Sequence, residues 1–98
     1  MARTRLTDSE ITAKLGEIPG FALANGKLTR RFEFADFVTA FGWMASVALV
    51  AEKLDHHPDW KNVYKTVDVE LNTHDAGGVT EMDFKLARRM NALFEASS

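Results

Sequence analysis

Apolar positions along the chain recur with two different periods, and the change from one to the other marks out its elements. From about Ala35 to Asp55 the spacing is helical. On a wheel of ~100° per residue, Phe37, Val38, Phe41, Met44, Ala45 and Ala48 form one arc, read here as the face turned to the core. Trp43, Val47, Val50 and Leu54 form a second stripe on roughly the opposite side. A helix apolar on two sides is buried on two sides. A chain of 98 residues has little left to cover the second stripe, so that stripe is expected to meet another subunit. From Val63 to Thr73 the period falls to two. Val63, Val67, Val69 and Leu71 alternate with Tyr64, Thr66, Asp68, Glu70 and Asn72, as in a strand with one buried face.

Caps and turns supply the remaining elements. Thr7-Asp-Ser-Glu10 reads as a capping box with Leu6 and Ile11 as its hydrophobic staple, and Gly16 and Pro19-Gly20 end that short helix. Phe21-Ala-Leu23 and Leu28 to Phe34 flank Asn25-Gly26, a strong hairpin signal, with Leu28, Phe32 and Phe34 on one face beside Arg30. Pro58 disfavours the α conformation at His57, so the long helix should stop at or just before the histidine pair. Gly77-Gly78 breaks the later strand. Thr80-Glu-Met-Asp83 then caps a last helix, with Val79 and Phe84 as staple and Phe84, Leu86, Ala87, Met90, Leu93 and Phe94 as inner arc. The order α-β-β-α-β-α with one-sided strands predicts an α+β fold, one domain over residues 1–98, its helices covering one face of the sheet.

Composition removes several function classes. Apolar residues make up 46% of the chain and charged ones 27%, which suits a folded protein and not a disordered one. Net charge is −2 without a long basic run, so direct nucleic-acid binding is not expected. The absence of cysteine excludes disulfides, thiolate nucleophiles and Cys-ligated metals, and permits a reducing compartment. Met-Ala-Arg-Thr-Arg is not followed by the apolar stretch of a signal peptide. No apolar run reaches the ~20 residues of a membrane span. The expectation is a soluble, cytoplasmic protein.

All three histidines lie in two short segments, Glu52-Lys-Leu-Asp-His-His-Pro-Asp-Trp60 and Asn72-Thr-His-Asp75. Both segments fall at element ends, where binding residues tend to sit, and imidazole is the side chain best suited to moving protons near neutral pH. Successive residues point in different directions, so His56 and His57 can line two sides of a cleft with His74 nearby. Two carboxylates occupy wheel positions where apolar side chains are expected: Glu52 in the inner arc of the long helix and Asp83 in that of the last. A buried charge needs a partner. For Asp83 that is Thr80 in a capping box, an imidazole held in a chosen tautomer, or both. For Glu52 it is an i,i+4 pair with His56 or a direct catalytic role. Three histidines and an acid can also make an open zinc site, but the helix-borne His-x-x-x-His pair is missing and adjacent histidines seldom share one ion. Gly77-Gly78 before a helix would suit an anion, yet no phosphate-loop lysine follows. No serine sits in a recognisable nucleophile setting.

Glu52-Lys-x-x-His-His-Pro-x-Trp60, Asn62-Val-Tyr64, Thr73-His-Asp-x-Gly-Gly78 and Thr80-x-x-Asp83-x-x-Leu-Ala87 together resemble pterin-4a-carbinolamine dehydratase, some members of which also act as dimerisation cofactor of a homeodomain transcription factor. The resemblance runs from about Leu6 to Leu93 and departs at Phe21, where tryptophan is expected after the Pro-Gly turn. It implies a four-stranded antiparallel sheet with three helices on one face, its fourth strand around Ala76 to Val79 or near Trp60. It implies a hydro-lyase that removes water from a 4a-hydroxytetrahydropterin to give quinonoid dihydropterin, recycling the pterin after aromatic amino acid hydroxylation. No metal or other cofactor is implied. Carried over by motif position, His56 and His74 are the acid/base pair, His57 mainly holds substrate, and Asp83 orients an imidazole, with Glu52 in support. Asp55, Pro58, Trp60, Asn72, Thr73 and Asp75 line the substrate pocket beside the three histidines. Dimers or tetramers through the 37–55 helix are implied as well. The alternatives are a non-enzymatic module that stabilises another protein's oligomer, for which the histidines would be dispensable, and a pterin-related accessory protein.

Overall fold

The capping box at the head of the chain forms in full. Thr7 Oγ1 accepts from the Glu10 N–H at 3.1 Å and the Glu10 carboxylate accepts from the Thr7 N–H at 2.8 Å. In the computed structural model, which describes residues 3–97, this box opens α1 (Asp8–Lys14), and a 3-10 turn over Leu15–Glu17 follows. Strands β1 (Ala22–Ala24) and β2 (Lys27–Glu33) are joined at Asn25 and Gly26, whose positive φ values of 54° and 75° suit a tight hairpin turn. Next comes α2 (Phe37–Leu54), its first turn capped by the Asp36 carboxylate, which accepts from Thr39 N–H at 2.8 Å. Strands β3 (Asp59–Val63) and β4 (Thr66–Leu71) precede α3 (Glu81–Ser97).

The fourth strand is β3, around Trp60, so the alternative placement at Ala76 to Val79 is discarded. The single strand read over Val63 to Thr73 is in fact the end of β3, a reversal and then β4. Tyr64 makes the reversal at φ 53°, and Asn62 Nδ2 closes it by donating to the carbonyls of Tyr64 and Thr66, both at 3.0 Å. The two residues that make the turn, Tyr64 and Lys65, are not usual turn formers, so the reversal does not stand out in the sequence. Val63 and Tyr64 are consequently exposed and do not extend the alternation of Val67, Val69 and Leu71.

The sheet order is β1-β2-β4-β3, antiparallel throughout, with Phe32 opposite Val67 and Leu28 opposite Leu71. Leu28, Phe32, Val67, Val69 and Leu71 form its inner face and pack with Ile11, Trp43, Val47, Phe84, Leu86 and Met90 from the helices. Charge pairs such as Arg31–Asp68 at 2.7 Å and Lys27–Glu70 at 3.4 Å join its strands outside that core. The fold is the expected α+β arrangement of three helices and four antiparallel strands.

The two apolar stripes of α2 are assigned the other way round from the wheel reading. Ala40, Trp43, Val47 and Ala51 are buried, whereas Phe37, Val38, Phe41 and Leu49 are exposed. Shape decides what summed hydropathy cannot. The Trp43 ring reaches Phe32 and Phe34 at centroid distances of 4.4 and 5.3 Å and donates from Nε1 to the Met90 carbonyl at 3.1 Å. Glu52 is therefore on the exposed side, not in a buried arc. By length and composition alone α2, with 18 residues and mean hydropathy 1.4, is long and apolar enough to cross a membrane, contrary to the reading of the bare sequence. One of its faces is nevertheless part of the core just described.

Candidate active site

The end of α2 places the histidine pair. Asp55 takes the left-handed conformation (φ 53°, ψ 43°), one that a short polar side chain tolerates. The His56 N–H then reaches back to the Ala51 carbonyl at 3.0 Å, closing the helix as a Schellman-type cap. This reversal turns the two imidazoles apart: His56 is buried and His57 exposed. His74 comes from the opposite side. Thr73 and Gly78 form an isolated antiparallel bridge, with Thr73 N–H to the Gly78 carbonyl at 2.8 Å. The loop they close, a 3-10 turn over His74–Ala76 ended by Gly77 at φ 74°, presents an exposed His74.

Asp83 is wholly buried at the first turn of α3 and meets both of the partners considered for it, His56 and Thr80. Its Oδ1 lies 2.5 Å from His56 Nε2. Its Oδ2 accepts from Thr80 N–H at 2.8 Å, completing the cap, and from Thr73 Oγ1 at 3.0 Å. The Thr73 hydroxyl proton being used there, Thr80 Oγ1 donates in turn to Thr73 Oγ1 at 2.8 Å and accepts from Met82 N–H at 3.2 Å. An ionised carboxylate can only accept, so opposite it the His56 ring carries a proton on Nε2, and its Nδ1 lies 3.4 Å from a guanidinium nitrogen of Arg3. Among the described residues no buried side-chain polar atom lacks a partner.

A cleft of about 230 Å³ is lined by Arg3, Asp55, His56, His57, Asn72, Thr73, His74 and Asp75. Seven of these eight are residues expected from the sequence, and Asp83 supports His56 from behind the wall. Two expected pocket residues do not line it. Trp60 is half-buried and packs against Trp43 at 6.1 Å between ring centroids, and Pro58 shapes the turn. Glu52 pairs with His57 Nε2 at 2.9 Å instead of with His56, because the left-handed Asp55 carries His56 off the helical path. Arg3 is the residue that sequence reasoning missed, since no pattern links it to a site 53 positions away. Among the described residues no three of His, Asp and Glu come together as a metal-binding group. A larger groove of about 540 Å³ between α2 and α3 is lined by Val50, Lys53, Leu54, Lys85, Arg88 and Arg89. It holds neither imidazole nor carboxylate, and all three histidines lie at the smaller cleft.

Comparison with known proteins places the chain by sequence and by fold. The family model for pterin 4 alpha carbinolamine dehydratase matches residues 4–93. A Rhodopseudomonas palustris (strain BisB18) protein provisionally named pterin-4-alpha-carbinolamine dehydratase is 60% identical over 91 residues, covering 91% of this chain and 90% of that protein. A protein of the same provisional name from Brucella ovis is 56% identical over 95 residues, 95% and 98% of the two chains. A crystal structure described as a transcriptional coactivator/pterin dehydratase from Brucella melitensis superposes with a TM-score of 0.88 at 54% identity, covering 92% of this chain and 98% of that one.

Proposed function

The chain belongs to the pterin-4a-carbinolamine dehydratase family, and from that premise we propose that it dehydrates a 4a-hydroxytetrahydropterin to the quinonoid dihydropterin by histidine acid/base catalysis. The observation that carries this reading is the buried His56–Asp83 pair, held at 2.5 Å in the wall of a cleft that also holds His57 and His74. Hydroxide is a poor leaving group and must be protonated as the C4a–O bond breaks. The N5 proton is removed as the C4a=N5 bond forms. Two imidazoles, His56 and His74, supply the two transfers, each of which is typically worth ~10²–10⁴-fold in rate. His57, tied to the exposed Glu52, holds substrate, and the product returns to the pterin pool after aromatic amino acid hydroxylation.

Decay of a synthetic 4a-hydroxytetrahydropterin, followed by absorbance with wild type and His74→Ala, tests this. The variant is expected to lose about 10²-fold or more in kcat. An undiminished rate would remove His74 from the mechanism.

The proposed transfers use only imidazole and carboxylate, so we expect a strong chelator to leave the wild-type rate unchanged. A loss on chelation that zinc restores would favour a metal-assisted route.

A second reading has its own support. The Brucella melitensis structure is described as a coactivator, and α2 here exposes Phe37, Val38, Phe41 and Leu49. Exposed apolar faces of this kind commonly mark protein contacts. We propose that this face, and not the Trp43/Val47 stripe, forms a homodimer or homotetramer. The same face would receive any heterologous protein partner.

A further inference from the structure

We propose that Arg3 is a positioning residue of this site: its guanidinium holds His56 as a neutral base at Nδ1, so that His56 removes the substrate proton and His74 protonates the leaving hydroxide. The inference rests on the dehydratase reading and decides which histidine does what.

Arg3 is held in place, not loosely attached. The arm before α1 is fixed by a backbone bond from Leu6 N–H to the Val79 carbonyl at 2.8 Å. The side chain of Arg5 lies over Gly78 so closely that an added Cβ would come within 3.1 Å of its Nε. Arg3 then reaches the end of α2, where one guanidinium nitrogen donates to the carbonyls of Asp55 at 2.9 Å and Leu54 at 3.4 Å. A cation is favoured there by the partial negative charge of a helix C-terminus. The other terminal nitrogen lies 3.4 Å from His56 Nδ1.

The consequence follows from counting donors. Guanidinium nitrogens only donate and the Asp83 carboxylate only accepts. An imidazole between them satisfies both in one form alone, with the proton on Nε2 and a lone pair on Nδ1. Protonating Nδ1 would set an N–H and a positive charge against the N–H groups of a cation. Among the described residues, the other charged or titratable groups lining the cleft are Asp55 and His57 at the end of α2, and His74 and Asp75 on the loop closed by Thr73 and Gly78. None of these is hydrogen-bonded to the His56 ring, whose partners among the described residues are Asp83 and Arg3.

The step balances. Substrate N–H replaces the guanidinium at Nδ1, and His56 takes the N5 proton. The electron pair of that N–H bond forms C4a=N5, the C4a–O bond breaks, and imidazolium His74 gives its proton to the departing oxygen as water. Solvent, which reaches the open cleft, then takes the proton from His56 and returns one to His74.

The test compares wild type, Arg3→Ala and Arg3→Lys by ¹⁵N NMR of the histidine rings and by kcat/KM at pH 6 and pH 9. In Arg3→Ala the His56 Nδ1 resonance at pH 6 should move towards the imidazolium position. Its kcat/KM should fall about threefold to tenfold at pH 6 and less than twofold at pH 9, the modest size reflecting solvent screening of an exposed cation. Arg3→Lys should restore most of both. Ring signals unchanged by Arg3→Ala, or a rate lowered equally at both pH values, would overturn the proposal, the latter because it is what a purely structural or substrate-holding role produces. If wild type shows no dehydratase activity, the functional reading fails. The ring signals still decide the role of Arg3.

Discussion

Replacing Asp83 by asparagine is expected to lower kcat by about 10²–10⁴-fold, the usual range for disabling a positioned acid or base. The amide has the shape of the carboxylate but cannot serve its partners, which are His56 Nε2–H, the Thr73 hydroxyl and the Thr80 N–H. With its oxygen towards His56, the amide nitrogen faces the Thr80 N–H, a backbone donor that cannot turn away. With the amide flipped, its nitrogen faces His56 and moves the ring proton to Nδ1, removing the lone pair from the cleft. One orientation costs about 1–3 kcal/mol for a buried unsatisfied group, and the other gives the wrong tautomer. Urea unfolding and ¹⁵N ring shifts distinguish these outcomes, while the assay reads the shared one. A variant retaining activity within threefold would mean that Asp83 caps α3 and does nothing for catalysis.

What the sequence revealed and what it hid both have physical reasons. Thr7, Glu10, Asn25-Gly26 and Thr80-x-x-Asp83 act through hydrogen bonds or dihedral angles spanning a few residues, so their structural effect can be read locally. The turn at Tyr64 was hidden because its left-handed residue is a tyrosine and its closing contacts come from an asparagine inside a strand. The stripes of α2 were inverted because both are apolar, and only the fit of Trp43 against Phe32 and Phe34 shows which one meets the sheet. In the site, an acid at an inward wheel position pointed to Asp83 without any tertiary knowledge. The pairing of Glu52 with His57 required the φ of Asp55, and Arg3 required the path of the whole arm. Local chemistry was legible and long-range contact was not.

The inverted helix makes the assembly testable in a form the sequence alone would have got wrong. Val47 is 0% exposed in the core that also holds Leu28, Phe32 and Met90, whereas Phe41 is 55% exposed, its ring centroid 5.5 Å from that of Phe37. Val47→Glu should therefore unfold the chain: a buried unpaired carboxylate costs several kcal/mol against a total stability of about 5–15 kcal/mol. Phe41→Glu should leave the fold intact, since the side chain points into solvent in the isolated subunit. It should nevertheless dissociate the homo-oligomer proposed for this face. Val38 and Leu49, 78% and 75% exposed, extend the apolar face along the helix, and burying such a face supplies about 25 cal/mol per Å². A self-complementary two-fold contact would set Phe41 of each copy near the centre, where a charge must lose its water without gaining a partner. Light scattering at micromolar concentration should find wild type as a dimer or tetramer and Phe41→Glu as a monomer, with matching far-UV circular dichroism spectra. A monomeric wild type, or an undissociated Phe41→Glu, would show that this face does not join the copies.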